Sequence, residues 1–142
     1  MEPLFAIEQV RYEYFGQIPA LAGIDLNIEA GSRFAIIGAN GSGKSTLLQM
    51  LDGLIFPSAG SIKFHGHDLT EEALRNSAFL RFFRERVGYV FQDSDVQLFC
   101  PTIMDELMYG PHQLGISADE AEDRARQVLK MLNLEKHAER PT

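Results

Sequence analysis

The chain has 142 residues, a formal net charge of −7 and 45% apolar residues. That length predicts one domain and that composition a globular, not a disordered, chain. The acidic balance argues against nucleic acid as a partner, because a phosphate backbone calls for a basic face, but it leaves room for a small anion held by backbone N–H groups.

The single cysteine, Cys100, allows no internal disulfide and fits a reducing, cytosolic setting. The opening residues Met1-Glu2-Pro3-Leu4-Phe5 lack the basic and apolar stretches of a secretory signal. No apolar run approaches the roughly 20 residues that span a bilayer.

Leu4 to Phe15 reads as a strand, with apolar Phe5 and Ile7 and then alternating aromatics. Gly16-Gln17-Ile18-Pro19 reads as a turn, and Gly23 to Glu29 alternates apolar and polar residues as a half-buried strand does. After a turn at Glu29-Ala30-Gly31-Ser32, the run Phe34-Ala35-Ile36-Ile37 predicts a strand buried on both faces. Gly38 to Gly43 is a loop, and Lys44 to Leu51 is helical. Pro57 and Gly60 precede a short strand, Ser61 to His65. Glu71 to Glu85 predicts helix, and Val87 to Phe91 a second buried strand ending at Gln92. Thr102 to Tyr109 predicts a short helix. Ser117 and Glu120 form a capping box ahead of a helix with Ala121, Ala125, Val128, Leu129 and Leu132 on one face.

Gly38-Ala39-Asn40-Gly41-Ser42-Gly43-Lys44-Ser45 is the most informative stretch. A triphosphate concentrates several negative charges, so it needs donors converging on one point. Glycines let the backbone wrap closely, and the helix behind adds the partial positive charge of its N-terminus. Lys44 supplies a full charge to the β- and γ-phosphates. The Ser45 hydroxyl is an oxygen ligand suited to Mg²⁺, and Thr46 continues the helix start. The order strand, glycine loop, helix is the context that this motif requires.

The ordered neighbours of the loop resemble the ATP-binding-cassette (ABC) ATPase family. These are Tyr14 ahead of an amphipathic strand, Ala20 to Leu26, Gly31-Ser32, Leu51-Asp52-Gly53-Leu54, Pro57 to Ile62, and Val87-Gly88-Tyr89-Val90-Phe91-Gln92. The resemblance covers almost the whole chain. Within the family, Phe91 to Phe99, Pro101-Thr102 and Tyr109-Gly110-Pro111 are similar to the energy-coupling-factor type, which includes cobalt, nickel and vitamin importers.

The resemblance implies an α/β P-loop fold, with an antiparallel β-subdomain and an incomplete parallel sheet flanked by helices. It implies ATP and Mg²⁺ as ligands, with Gly38, Asn40, Gly41, Ser42, Gly43, Lys44, Ser45 and Thr46 around the phosphates. Tyr14 would stack on adenine, with Tyr12 and Phe15 as alternatives for that role. Gln92 would contact Mg²⁺ or the attacking water and report the nucleotide state. Ser45 and Gln92 are thus the implied Mg²⁺ ligands. The implied partners are transmembrane subunits of an importer and a second ATPase subunit, as homo- or heterodimer, on the cytoplasmic face of the plasma membrane. Val96, Leu98 and Phe99 either dock a helix of the membrane partner or pack inward.

The family's Leu-Ser-Gly-Gly-Gln signature and its apolar strand ending in Asp-Glu are not found in these residues. The expectation is therefore a partial ABC ATPase domain over 1–142, not catalytically competent by itself and prone to aggregate. Other readings are a non-catalytic nucleotide-binding module, a soluble ABC-type ATPase outside transport, and a small-molecule P-loop kinase. The last does not explain Gln92 with its flanking strand, and no sustained heptads support the second.

Other signals read as structural. His65-Gly66-His67-Asp68 is a turn, not a metal site. Asp93, Asp95, Asp105 and Glu106 read as solvated loop and helix-start charges. Arg75, Arg81, Arg84 and Arg86 read as a solvated helical face. Cys100 has no activating base.

Overall fold

A computed structural model describes residues 2–142, with the side chain of Ser94 left out of the description. The chain divides into two compact units, one ending at Tyr89 and one spanning Val90–Thr142.

The first unit is built on a four-stranded antiparallel sheet. Its strands are β1 (Phe5–Tyr14), β2 (Ile18–Ile28), β3 (Ala59–Phe64) and β4 (His67–Asp68), in the order β2-β1-β3-β4. Phe5 and Ile7 point into the core, as alternation demands. Strict alternation would then turn Val10 outward, yet Val10 is fully buried. The cause is a register shift between Ile7 and Val10. Gln9 takes a left-handed φ of 48° there, and its backbone N–H donates to Asp25 Oδ1 at 2.8 Å. Gly60 lies opposite, so close that a Cβ would come within 2.4 Å of the Gln9 carbonyl oxygen.

Helix α1 (Lys44–Leu51) lays Leu47, Met50 and Leu51 on the sheet core formed by Phe5, Ile7, Val10, Leu21, Ile62 and Phe64. The stretch expected as one helix from Glu71 is two, α2 (Glu71–Arg75) and α3 (Ser77–Arg84). Asn76 is the reason. It takes an extended ψ of 115°, and its Oδ1 accepts the N–H groups of Ala78 and Phe79, so the side chain that ends one helix starts the next. Phe83 of α3 packs edge-on against Phe64, with ring centroids 5.1 Å apart.

The parallel strands expected at Phe34–Ile37 and Val87–Phe91 enter no β-ladder among the described residues. Phe34 is 52% exposed and Ile37 is 92% exposed. A strand meant for burial on both faces is stable only between hydrogen-bonded neighbours and beneath covering helices. No further strand runs beside residues 34–37 among the described residues, so only Ile36 of the run is partly buried, packed against the core, while Phe34 and Ile37 stay exposed.

The second unit pairs α4 (Ile103–Gln113) with α5 (Ala118–Leu132) around Met104, Ala125, Leu129 and Ala138. Both helix starts are capped by side chains, Ser117 as expected, with the Glu120 carboxylate turned to Arg124 at 2.6 Å. Thr102 accepts the Asp105 N–H, and Ser117 accepts the Glu120 N–H. Helix α4 runs four residues past the expected end, carrying Pro111 in its last turn. Leu132, expected on the packed face of α5, is 55% exposed. Residues 138–141 run back along the start of α4, with Met104 N–H donating to the Ala138 carbonyl and a bridge between Thr102 and Pro141.

Candidate nucleotide-binding site

The phosphate loop lies in the first unit, with Gly38 through Ser42 all exposed. Its turn is closed by the Ser42 N–H donating to the Ala39 carbonyl at 3.2 Å. Two positions need glycine. Gly41 has a φ of 80° in open space. Gly43, the N-cap of α1, has a φ of 85°, and a Cβ there would stand 2.4 Å from the Ala20 carbonyl oxygen and 2.7 Å from Leu21 Cδ2. This closeness presses the loop's end onto β2 and fixes where the helix begins.

Lys44 curls back over its own loop. Its Nζ donates to the carbonyls of Gly38 at 2.9 Å and Ala39 at 2.7 Å, and reaches Ser42 Oγ at 3.4 Å. The ammonium is thereby held over the loop, and no carboxylate among the described residues pairs with it. The first turn of α1 carries no acidic residue, so nothing offsets the positive end of the helix. Ser45 is exposed beside Lys44, and Thr46 is buried.

Tyr14, at the end of β1, sits with this group. Its hydroxyl shares a 3.0 Å hydrogen bond with Thr46 Oγ1, and its ring meets Tyr12 edge-on. The fold therefore brings together Tyr14, Gly38, Asn40, Gly41, Ser42, Gly43, Lys44, Ser45 and Thr46. Gln92, exposed, belongs to the second unit. A cavity of about 350 Å³ lined by Ile28, Phe34, Ile36, Leu48, Lys44 and Ser45 runs beside α1.

Mg²⁺ dehydrates reluctantly and is commonly held by one or two protein oxygens plus substrate phosphates. An exposed Ser45 hydroxyl next to Lys44 suits that arrangement. No cluster of three or more His, Cys, Asp or Glu among the described residues could hold a metal by itself. His65 and His67 instead pack on Phe82, at 5.7 and 6.4 Å between ring centroids.

Three side chains do more than the sequence reading assigned them. Glu106 is no plain solvated charge. Its Oε2 accepts the N–H of Cys100 at 2.8 Å and of Phe99 at 3.2 Å. The Cys100 N–H holds the Glu106 carboxyl below its usual range, with Phe99 helping. Arg84 leaves the basic helical face and pairs with buried Asp52. Thr46, included only as part of the loop motif, ties Tyr14 to α1. Its neighbours in sequence gave no sign of that contact. Of the three apolar loop residues, Val96 and Phe99 are 70% and 65% exposed, and Phe99 meets Tyr109 edge-on at 4.6 Å.

A glycine loop, a lysine and a helix start arranged in this way define the class of P-loop nucleotide-binding proteins. The family described as ABC transporter matches residues 21–142, and the chain belongs to it. It is 47% identical over 141 residues to the nickel import ATP-binding protein NikO of Rhodobacter capsulatus, covering 99% of this chain and 55% of that protein. It is 38% identical to the energy-coupling factor transporter ATP-binding protein EcfA2 of Methanospirillum hungatei, covering 99% of this chain and 34% of that one. The solved structure of cbiO1 from Clostridium perfringens, part of the ABC transporter complex cbiONQ, superposes with a TM-score of 0.80. That match is at 33% identity and covers 99% of this chain and 55% of that one. The chain spans between about a third and just over half of the length of these relatives.

Proposed function

We propose that this chain binds ATP with Mg²⁺, as the front part of an ATPase subunit that energises a membrane importer. The observation that carries the reading is Lys44, held over an exposed glycine loop with no carboxylate partner among the described residues, at the start of a helix free of first-turn acids. Backbone N–H groups of Gly41, Gly43 and Lys44 cradle the phosphates. The Lys44 ammonium exchanges its two carbonyl acceptors for β- and γ-phosphate oxygens, which bind it more strongly because they are charged. Ser45 Oγ would hold Mg²⁺ alongside the phosphates, and the ion when bound would supply charge neutralisation there. Tyr14 offers its π-face to adenine. Gln92 senses the ion or the attacking water.

Hydrolysis is proposed for the whole protein, working as a homo- or heterodimer of ATPase subunits. Transmembrane subunits are the proposed partners, since the relatives include a nickel import protein and a component of cbiONQ. Cobalt, nickel or another micronutrient is the proposed cargo. No helix among the described residues is long and apolar enough to cross a membrane, which suits attachment at its cytoplasmic face through those partners. Exposed Val96, Leu98 and Phe99 suit contact with a membrane-subunit helix.

Titration with a fluorescent ATP analogue, with and without Mg²⁺, tests the reading. Saturable, Mg²⁺-dependent binding that Lys44→Ala weakens by about tenfold or more is the expected result. Absence of binding, or binding indifferent to Lys44→Ala, would defeat it.

A further inference from the structure

Tyr14 is held at three points. Its backbone pairs with Ile18 across the β1–β2 ladder. Its ring lies edge-on to Tyr12, with centroids 5.0 Å apart and planes at 90°. Its hydroxyl is 3.0 Å from Oγ1 of Thr46, which is only 5% exposed and lies two residues past Lys44 in the first turn of α1. An aromatic anchored by its backbone alone moves among χ1 rotamers. A hydrogen bond at the ring's far end removes that freedom before a ligand arrives, so less ordering remains to be done on binding. Phe15 shows the contrast. It is 91% exposed, at a φ of 56°, and has no hydroxyl to anchor.

We propose that Thr46 is a positioning residue for Tyr14: by holding the tyrosine hydroxyl it sets the spacing between the base platform and the phosphate loop, so that base and triphosphate are engaged together. The proposal rests on the reading of Tyr14 as the platform for adenine. Thr46 belongs to the same helical turn as Lys44 and Ser45, so any shift of the turn that carries the phosphate ligands carries the tyrosine with it. The preference for a nucleotide over a bare triphosphate then depends on one hydroxyl–hydroxyl contact.

The test compares Mg²⁺-ATP with Mg²⁺-tripolyphosphate by calorimetry in the intact protein. The proteins are wild type, Tyr14→Phe, Thr46→Val, the double variant, Tyr14→Ala and Phe15→Ala. Tyr14→Phe is expected to weaken ATP binding by about 3- to 10-fold, the scale of one neutral hydrogen bond, while tripolyphosphate changes by less than about twofold. Thr46→Val should lower the ATP-to-tripolyphosphate affinity ratio by the same factor. The double variant should show no further loss in that ratio, since the two hydroxyls act as one pair. Tyr14→Ala should cost ATP about 5- to 100-fold.

If Tyr14→Ala lowers the ratio but Tyr14→Phe and Thr46→Val do not, or if their losses simply add, the positioning proposal is overturned and the base platform stands. A Tyr14→Ala ratio equal to wild type, with or without a loss in Phe15→Ala, overturns the platform and the proposal together. Binding of neither triphosphate by the wild type does the same. A shift in denaturant midpoint with an unchanged ratio marks Thr46 as merely structural and overturns the proposal.

Discussion

The Asp52 carboxylate and the Arg84 guanidinium meet at 3.1 Å, joining the C-cap of α1 to the last turn of α3. The same guanidinium nitrogen donates to the Asp52 carbonyl oxygen at 2.9 Å. Asp52 is 6% exposed, and its other carboxylate oxygen is buried with no partner among the described residues. Burial outweighs the arginine and raises the Asp52 pKa above its ordinary value. Between the ordinary and the raised value the folded state binds more protons than the unfolded one. Stability from this group is therefore greatest below that window and falls as pH rises through it, opposite to ordinary acid denaturation. Asp52→Asn should flatten this part of the stability–pH curve and cost less than about 1 kcal/mol at neutral pH. Arg84→Met, which leaves a buried carboxylate short of a donor, should cost about 1–3 kcal/mol. Urea melts across pH check both.

Glu106 titrates with the opposite sign. Its pKa is lowered, first by the Cys100 N–H, so its hold on the 99–100 loop is complete above the ordinary carboxyl value and is lost as pH falls through the folded one. Glu106→Gln should speed amide exchange at Phe99 and Cys100 by about tenfold at neutral pH, the worth of a charge-assisted bond, with α5 amides unchanged. Exchange measured by NMR decides it.

Lys44→Ala should weaken ATP-analogue binding by about 10- to 150-fold, the worth of hydrogen bonds to charged oxygens. Its ammonium bonds only to exposed loop atoms, so the denaturation midpoint should hardly move. Paired binding and melting curves separate the two effects.

Gly43→Ala places a methyl 2.4 Å from the Ala20 carbonyl at a φ of 85°. The loss should be about 1–3 kcal/mol of stability, with ATP binding weakened as well because the helix start must shift. Gly41→Ala, strained in φ but meeting no atom within 4 Å, should cost less. Urea melts of the two variants rank them.

Ile37, 92% exposed, and Phe34, 52% exposed, are expected to make the isolated 142-residue chain self-associate. Ile37→Thr should lower the associated fraction in sedimentation velocity without lowering the melting temperature. A monodisperse wild-type chain with a cooperative transition would refute the expectation.

Features set by local rules were legible in the sequence. The Gly38–Ser45 motif, the bounds of α1, and the cap at Ser117 depend on residues within a few positions of one another. So did the core alternation at Phe5 and Ile7. What tertiary structure alone decided are the contacts between residues far apart in the chain. The bulge at Gln9 turned Val10 inward because Asp25 accepts its N–H. Arg84 left the solvated face because Asp52 lies in reach. Tyr14 met Thr46 across 32 positions. The apolar runs at residues 34–37 and 87–91 spelled strands, but pairing is a property of neighbours, and no β-ladder includes either run among the described residues.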